Sequence, residues 1–550
     1  MLKRILIGVV VLVGLVVLAG GLLTMFFPKA WAIAEAERRV EAATGRELIL
    51  GGDVNLTFWP ALGFSAEQAS LSNPEGFDAD TPFLAADRIV FAVAVMPLLR
   101  GSIEIKRLIF DGVALQLVAK PDGAANWTFP TEENETTTSL GDLRLDEVRL
   151  TDSSISFDGG DGQPPLQLAN VNGSLRLDSL DQPAELDSQF DYREQRLRVA
   201  SVIANPRAVL EKGESLLTAE ITSDPLTATF DGAFNAATGA LDGRLAANGA
   251  SLRQLVAWMG SPMAEGGGFG AYRVGAEMAH LGQETRLTDA TLSLDAIQAR
   301  GALTLTTQEN GRMRVTGALS APNVDLNPYL PAPAAGAEAG VETSTAWTND
   351  PLDLTGLRAI DADLDLSFGA LRFQRLSFAD VQMGLRIANG AADARLSRIS
   401  LYSGGGTARL IADGSGATPR IAVELNAQNI QAEPLLRDAI GFDKIAGRGR
   451  LTASLIGQGA SQAAIMRSLR GSAAFNFNDG QLKGMNLAQV ARTIQSALSG
   501  TQATGGATTD FAEMSATFQI ANGVARNNDL SLKSPLLRVG GEGEINIGAD

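Results

Sequence analysis

The sequence contains no cysteine and only one histidine, His280, among its 550 residues. The missing cysteines exclude disulfides, cysteine-ligated zinc, thiol catalysis and a lipoprotein anchor, which requires an acylated cysteine. A serine-histidine-aspartate triad would have to use His280. The alternating segment 272–280 instead predicts a strand that carries this histidine near its end, at the surface. No G-x-S-x-G elbow or phosphate-binding loop accompanies it. We therefore predict no enzyme and no cofactor.

Basic residues are also fewer than acidic ones: the chain has 45 Lys and Arg and 62 Asp and Glu, which gives a formal net charge of −17. Such a surface repels phosphate backbones and anionic headgroups, so no nucleic-acid partner is predicted. Asp361, Asp363 and Asp365 resemble the opening of a calcium loop, but Leu366 and Arg372 stand where glycine and glutamate are needed. The same alternation predicts a half-buried strand, and we predict no metal site.

One long apolar segment lies near the start, where Ile5–Phe27 carries no charge. As a helix it would extend roughly 34 Å, enough to cross a hydrocarbon core of about 30 Å. Residues spaced along this predicted anchor are Ile5, Val10, Leu15, Leu22 and Phe27. A cleaved signal peptide is the alternative, but its apolar region would be shorter and residues 18–21 make a poor cleavage site.

Lys3 and Arg4 precede the apolar segment. Because positive residues stay on the cytoplasmic side, they predict a cytoplasmic N-terminus with the bulk of the chain outside. The sequence thus predicts a single-pass inner-membrane protein whose mass is periplasmic, with the inner membrane as its first partner.

Beyond a predicted helix over residues 31–44, ended by Gly45, the hydrophobic pattern has a period of two. Asn-Gly and Asp-Gly pairs recur and predict tight hairpin turns. They begin at Asp158, Asn172, Asp231, Asp242, Asn310, Asn389, Asp413, Asp479 and Asn522. The predicted fold is mainly β, with an N-terminal transmembrane helix followed by a long curved antiparallel sheet or groove. A few short helices pack on it, predicted over 251–259, after Ser461, and over 487–498.

Thr-, Ala-, Gly- or Glu-rich stretches at 130–139, 331–350 and 501–510 predict linkers or long loops. The predicted regions are the stub and anchor (1–28), an N-terminal periplasmic region (29–130), a middle β-groove region (140–330) and a C-terminal β region (351–550). The last residues, 540–547, look like the middle of a strand pair. We therefore expect a short or C-terminally truncated member of its family.

A sheet with one apolar face must bury that face or offer it to an apolar ligand. Candidate lining residues for such a groove are Leu115, Leu117, Phe373, Val381 and Leu385. The same residues would be ordinary core if the sheet closes on itself, and the sequence leaves both readings open.

Several stretches, in this order, resemble the AsmA family of proteobacterial envelope proteins. The anchor is followed by ATGREL (43–48), GDVNLTFWP (52–60), LSNPEGF (71–77), MPLLRG (96–101), LIFDGV (108–113) and PDGAANW (121–127). The C-terminal half adds AEPLLRD (432–438), GRGRL (447–451) and NDGQLKGMNL (478–487). Residues 140–240 match the family only in their pattern of strands and turns.

The resemblance implies an inner-membrane protein with a periplasmic β-groove body that acts in outer-membrane biogenesis. Larger relatives are implicated in carrying phospholipid along an apolar groove, so phospholipid is the expected ligand. The alternative is a non-enzymatic periplasmic scaffold that regulates outer-membrane protein assembly or targeting to the membrane. Its partners would be outer-membrane assembly proteins.

Overall fold

The computed structural model describes residues 29–57, 61–98, 104–129, 144–160, 162, 164–263, 266–330, 347–484, 508–535 and 537–549. Strands dominate this part of the chain and the helices are short, so the prediction of a mainly β fold is confirmed. The predicted anchor, with Lys3 and Arg4, lies outside the described residues. The chain divides into unit 1 (residues 1–262 and 277–282) and unit 2 (residues 263–276 and 283–550).

The helices of unit 1 are α1 (Lys29–Thr44), α2 (Val95–Leu98), α3 (Pro206–Lys212) and α4 (Leu252–Trp258). Its strands are β1 (Leu48–Leu50), β2 (Val54–Thr57), β3 (Ala61–Leu71), β4 (Leu84–Ala94), β5 (Glu104–Asp111), β6 (Ala114–Val118), β7 (Arg144–Asp158), β8 (Leu166–Leu177), β9 (Ala184–Tyr192), β10 (Gln195–Ile203), β11 (Glu214–Thr222), β12 (Thr227–Asn235) and β13 (Ala240–Gly249). The next strand, β14 (Tyr272–Leu281), has residues in both units.

The helices of unit 2 are α5 (Ala432–Ile440) and α6 (Gln462–Ser468), with 3₁₀ turns at Asn327–Tyr329 and Thr355–Arg358. Its strands are β15 (Glu284–Leu294), β16 (Ile297–Thr307), β17 (Met313–Asp325), β18 (Ile360–Phe373), β19 (Leu376–Ala388), β20 (Ala391–Leu401), β21 (Gly404–Asp413), β22 (Arg420–Gln431), β23 (Ile445–Gln458), β24 (Arg470–Lys483), β25 (Thr508–Ala521), β26 (Val524–Lys533) and β27 (Arg538–Asn546).

Most strands pair antiparallel with the strand that precedes them, as predicted, but three of the pairings between described strands are parallel. Strands β5 and β6 both run parallel to β7, and β17 runs parallel to β18. The prediction of an antiparallel sheet was therefore wrong at these pairings. The parallel pairs are possible because long connections precede β7 and β18, and a parallel partner requires a crossover of about a dozen residues or more. The predicted linkers at 130–139 and 331–350 lie in the two connections that lead into β7 and β18.

Three of the predicted helices fall on described residues and are confirmed. Helix α1 ends at Thr44, and Gly45 follows with a φ of 67° and donates its N–H to the carbonyl of Glu41. The side chains of Ser251 and Ser461 cap α4 and α6 by accepting a backbone N–H three residues later. Such caps satisfy donors that a helix start leaves unpaired.

Two predicted segments lie entirely outside the residues that the structure describes. The predicted helix over 487–498 lies outside the described residues, as does the linker at 130–139. The linker predicted over 501–510 is wrong at its end, because Thr508 already begins β25.

The Asn-Gly and Asp-Gly pairs divide into two groups. The pairs at Asp158, Asn310, Asn389, Asp413 and Asn522 follow or end a strand, as predicted. The pairs at Asn172, Asp231, Asp242 and Asp479 lie inside strands, so the turns predicted there were wrong.

Close approach of two strands explains two of these misplaced turns. Gly232 of β12 faces Gly243 of β13. A Cβ on Gly232 would lie 2.5 Å from the Cα of Gly243, and one on Gly243 would lie 2.4 Å from the Cα of Gly232. These glycines therefore serve a close strand contact, which is the other common role of glycine within a strand.

The described residues form separate buried clusters in each unit. In unit 1, Val40 of α1 packs with Leu71, Phe83 and Trp127 over the β3, β4 and β6 face. A second cluster centres on Phe91 and joins β4, β5, β7 and β8. In unit 2 the core is built from β17–β26 and is covered by α5.

Two predicted strand details can be checked directly. Strand β18 alternates as expected, because Asp363 and Asp365 are exposed whereas Ala362 is buried and Leu364 is half-buried. His280 lies one residue before the end of β14 and is half-buried.

Candidate functional site

The candidate site is the apolar face of the sheet in each unit, which we call the inner face. In-register residues of adjacent strands place their side chains on the same side of a sheet, so pairing partners form rows across it. In unit 2, one such row crosses eight strands from β16 to β23 and contains no polar side chain. Its members, named here the open row, are Leu303, Gly317, Leu364, Leu385, Ala394, Leu410, Val423 and Leu455.

A second apolar row runs beside the open row, one step further along each strand. It consists of Gly301, Leu319, Leu366, Met383, Leu396, Ala408, Leu425 and Ala453. The inner face of unit 2 is therefore continuous across strands and two rows wide at least.

Burial changes along the strands of unit 2. At one end, named here the closed end, Ala321, Val381, Ile399, Ala427 and Ile430 are each at most 4% exposed. In the open row no side chain is buried, and Leu410 is 45% exposed. The same apolar face is thus packed at one end and accessible to solvent or ligand along the rest.

Helix α5 closes the packed end. Ala432 and Leu435 are buried in the same cluster as Ile430 and Val381. Gly441 ends the helix in the left-handed region, where glycine has no steric penalty. The helix therefore presents its apolar side to the sheet and covers the closed end.

Polar contacts hold α5 at its two ends. Tyr402 donates its hydroxyl to a carboxylate oxygen of Asp438 at 2.9 Å, and Lys483 Nζ lies 2.7 Å from Glu433 Oε1. Burial, followed by the hydrogen bond to Asp438, raises the pKa of Tyr402 to about 12. The phenol therefore stays protonated and remains a donor over the physiological range.

Unit 1 has a similar inner face across β10–β13. One row joins Ile203, Leu217, Gly232 and Gly243, the next Ser201, Ala219, Phe230 and Leu245, and the third Val199, Ile221, Ala228 and Ala247. Phe230 is 8% exposed, whereas the other members are half-buried. Apart from Ser201, every side chain or glycine in these rows is apolar.

The predicted lining residues fall into different surroundings. Leu385 belongs to the open row, and Val381, at 1% exposure, belongs to the closed end. Leu115 and Leu117 pack in the cluster beneath α1 with Val40 and Trp127. Phe373 is 37% exposed at the end of β18, where it pairs with Leu376.

Sequence reasoning missed α5 and the residues with the most accessible apolar surface on the face, such as Leu410. The signal for α5 was present, because two adjacent leucines at 435–436 precede Gly441 at a spacing typical of a capped helix. Leu410 lies in a segment with alternating burial that looks like any other strand of this chain.

The opposite face of the sheet is polar and carries ion pairs. Arg409 donates through Nε and Nη2 to the two carboxylate oxygens of Asp393, each at 2.9 Å, and Arg395 donates to the same group. These hydrogen bonds, Arg409 first, lower the pKa of Asp393 to about 2. A bidentate Arg–carboxylate pair of this kind fixes the neighbouring strands β20 and β21 to each other.

We predict an acid-dependent loss of stability from this pair. The folded pKa of Asp393 is below its unfolded value of about 3.9, so the stabilisation is complete above that value and is lost as the pH falls towards 2. The contribution is about 1–2 kcal/mol after allowance for partial solvent exposure. Urea unfolding at pH 5 and pH 2.5 should show this loss in the wild type and not in Asp393→Asn. Asp365→Asn, an exposed aspartate with no ion pair within the described part of unit 2, should retain it. An equal loss in Asp393→Asn would contradict the assignment.

Two further surveys apply to the described residues only. Within them, no group of three or more His, Cys, Asp or Glu side chains is arranged to hold a metal ion. Across residues 29–549, as far as they are described, no helix is both long and apolar enough to cross a bilayer.

Comparison with known proteins gives a family match over most of the chain. The model of the AsmA family matches residues 1–266 and 215–530. Protein AsmA of Escherichia coli K12 is 21% identical over 540 residues, which cover 93% of this chain and 80% of that protein. No solved structure gives a significant match.

Proposed function

Because this chain belongs to the AsmA family, we propose that it acts in biogenesis of the bacterial outer membrane as an inner-membrane-anchored periplasmic protein. In this proposal, the inner face of the sheet binds phospholipid acyl chains. Membership of the family supports the envelope role, and the predicted anchor at residues 5–27 supports the location. The binding of lipid rests on the inner face itself.

The observation that carries the proposal is the accessible open row. The row consists of seven aliphatic side chains and one glycine across eight strands; Leu410 is 45% exposed and the other members are half-buried. A soluble domain usually covers apolar surface that is accessible in this way. An acyl chain laid across such a row gains roughly 0.8 kcal/mol for each CH₂ removed from water. The polar headgroup would remain in solvent at the edge of the face.

A test uses two adjacent leucines in unit 1 that have opposite orientations. Leu217 lies on the inner face, whereas Leu216 points to the opposite side and is 63% exposed. A photo-crosslinking amino acid is placed at either position of the full chain expressed in a Gram-negative host. We expect phospholipid adducts at 217 and not at 216, with phospholipid co-purifying at one or more molecules per chain. Equal labelling at both positions, or a stable lipid-free protein, would reject the proposal and favour the scaffold.

A further inference from the structure

Arg46 is the most deeply buried charged residue among the described residues of unit 1. It follows Gly45 directly after α1, and it is 1% exposed. Its guanidinium carbon lies 4.7 Å from the ring centre of Phe83 and 4.1 Å from that of Phe129. Both phenylalanines belong to the apolar cluster that also contains Leu115 and Leu117. A cation thus sits inside an apolar cluster of the sheet.

The hydrogen bonds of Arg46 are incomplete. Nη2 donates to the carbonyl oxygens of Asn126 at 2.6 Å and Thr128 at 3.1 Å. Nε and Nη1 are buried, and no described residue supplies an acceptor to either. Because a guanidinium carries five N–H donors, three of them lack a protein partner.

Its charge is also uncompensated. The chain has 62 acidic residues, yet no described carboxylate lies within ion-pair distance of Arg46, which is absent from every ion pair of the described residues. Burial lowers its pKa to about 10, so the group is still positive at neutral pH. The two aromatic rings compensate part of the burial cost. Water could accept the remaining hydrogen bonds, but it would supply no negative charge.

We propose that Arg46 binds a phosphate oxyanion, with the headgroup of a phospholipid as its source. A phosphate group offers several strong acceptor oxygens and a full negative charge, which match the unused donors and the uncompensated cation. The adjacent cluster around Leu115 and Leu117 would contact the acyl chains. The half-buried ring of Phe129 is the side chain that must move to admit the group. The lipid source rests on the proposed function, whereas the anion site does not.

The experiment uses the full chain in dodecyl maltoside and measures thermal unfolding with three probes. Dihexanoyl phosphatidate carries both phosphate and acyl chains, dihexanoylglycerol lacks the phosphate, and inorganic phosphate lacks the chains. We expect phosphatidate to raise the melting temperature by a few degrees at a concentration well above its Kd, and dihexanoylglycerol to have a much smaller effect. Arg46→Met should weaken the apparent affinity for phosphatidate at least tenfold.

Arg358→Met is the matched control, because Arg358 also donates to a backbone carbonyl, that of Gly414 at 2.6 Å, but is exposed. This variant should bind phosphatidate like the wild type. Without probes, Arg46→Met should unfold no earlier than the wild type, because it removes an uncompensated buried charge.

The proposal is overturned if no phosphate-containing probe stabilises the wild type, or if the stabilisation persists in Arg46→Met. A structural Arg46 would instead show early unfolding of Arg46→Met and no response to any probe. Equal effects of inorganic phosphate and phosphatidate would keep the anion site and reject the lipid source. Crosslinking at Leu217 in the Arg46→Met background separates the two proposals, since acyl-chain binding there does not require Arg46.

Discussion

Two aspartates placed on the open row, Leu364→Asp and Leu385→Asp together, should abolish phospholipid binding to unit 2 while leaving it folded. The two leucines are direct cross-strand partners on β18 and β19, and both are half-buried. An acyl chain crossing this point would have to dehydrate two carboxylates. The loss of only two CH₂ contacts corresponds to about a tenfold weaker affinity, and the charges add to it. Because unit 1 keeps its own inner face, binding is read at unit 2 alone, with a photo-crosslinking residue in place of Leu410 of the open row in the full chain. Phospholipid adducts at this position, measured by mass spectrometry, should fall at least tenfold.

The same two strands provide the control. Ser367 and Gln382 are also cross-strand partners, and both are exposed on the opposite face. Ser367→Asp with Gln382→Asp introduces the same charges three residues away on each strand and should leave the phospholipid adducts at position 410 unchanged. Circular dichroism and limited proteolysis should report a folded unit 2 in both double variants. If both pairs reduced lipid equally, the effect would be electrostatic at long range and the open row would not be the site.

Ile430→Ala should destabilise unit 2 by about 2–5 kcal/mol, the usual cost of a large-to-small change in a packed core. Ile430 has no exposed surface, and it packs at the closed end with Leu435 of α5. The lost side chain would leave a cavity between the sheet and the helix. Chemical unfolding of the full chain, followed by a probe in unit 2, measures the change.

Ile440 is the matched position, since it ends the same helix and is 69% exposed. Ile440→Ala should change the free energy of unfolding by no more than about 0.5 kcal/mol. A small effect at Ile430 would mean that α5 does not close the sheet, and the difference between closed and open parts of the face would lose its basis.

Hydrophobic periodicity predicted most of this fold because each strand has one apolar face. The alternation of Asp363, Leu364 and Asp365 is visible in the sequence and appears unchanged in β18. The helices capped by Ser251 and Ser461 were equally predictable, because a capping side chain is a local signal. What could be predicted was therefore local.

Several turns could not be predicted, because the register of the strands overrides the preference of the residues. Arg193 and Glu194 join β9 and β10 with φ values of 47° and 65°, and Tyr402 and Ser403 join β20 and β21 with 46° and 66°. These residues rarely adopt such angles, but long antiparallel strands in fixed register require a two-residue turn at these points. Neither pair resembles a turn signal.

The sequence also could not predict which part of the apolar face is open and which is packed. Val381 and Leu385 lie two alternations apart on the same strand and face, yet one is buried and the other half-buried. The difference comes from α5, which returns from a distant part of the chain to cover only one end. Alternation identifies the face of a sheet but not what covers it.

The parallel pairing of β17 with β18 has a consequence for how the chain reaches this structure. Strands β18–β24 each pair with their sequence neighbour, and three of their turns have only two residues. They can therefore assemble one hairpin at a time. Joining β17 to β18 instead requires closure of a connection spanning residues 326–359, which costs roughly 2 kcal/mol more in chain entropy than a short turn. We expect β18–β24 to form first as one cooperative folding unit, with β17 docking later and this connection marking the kinetic boundary between them.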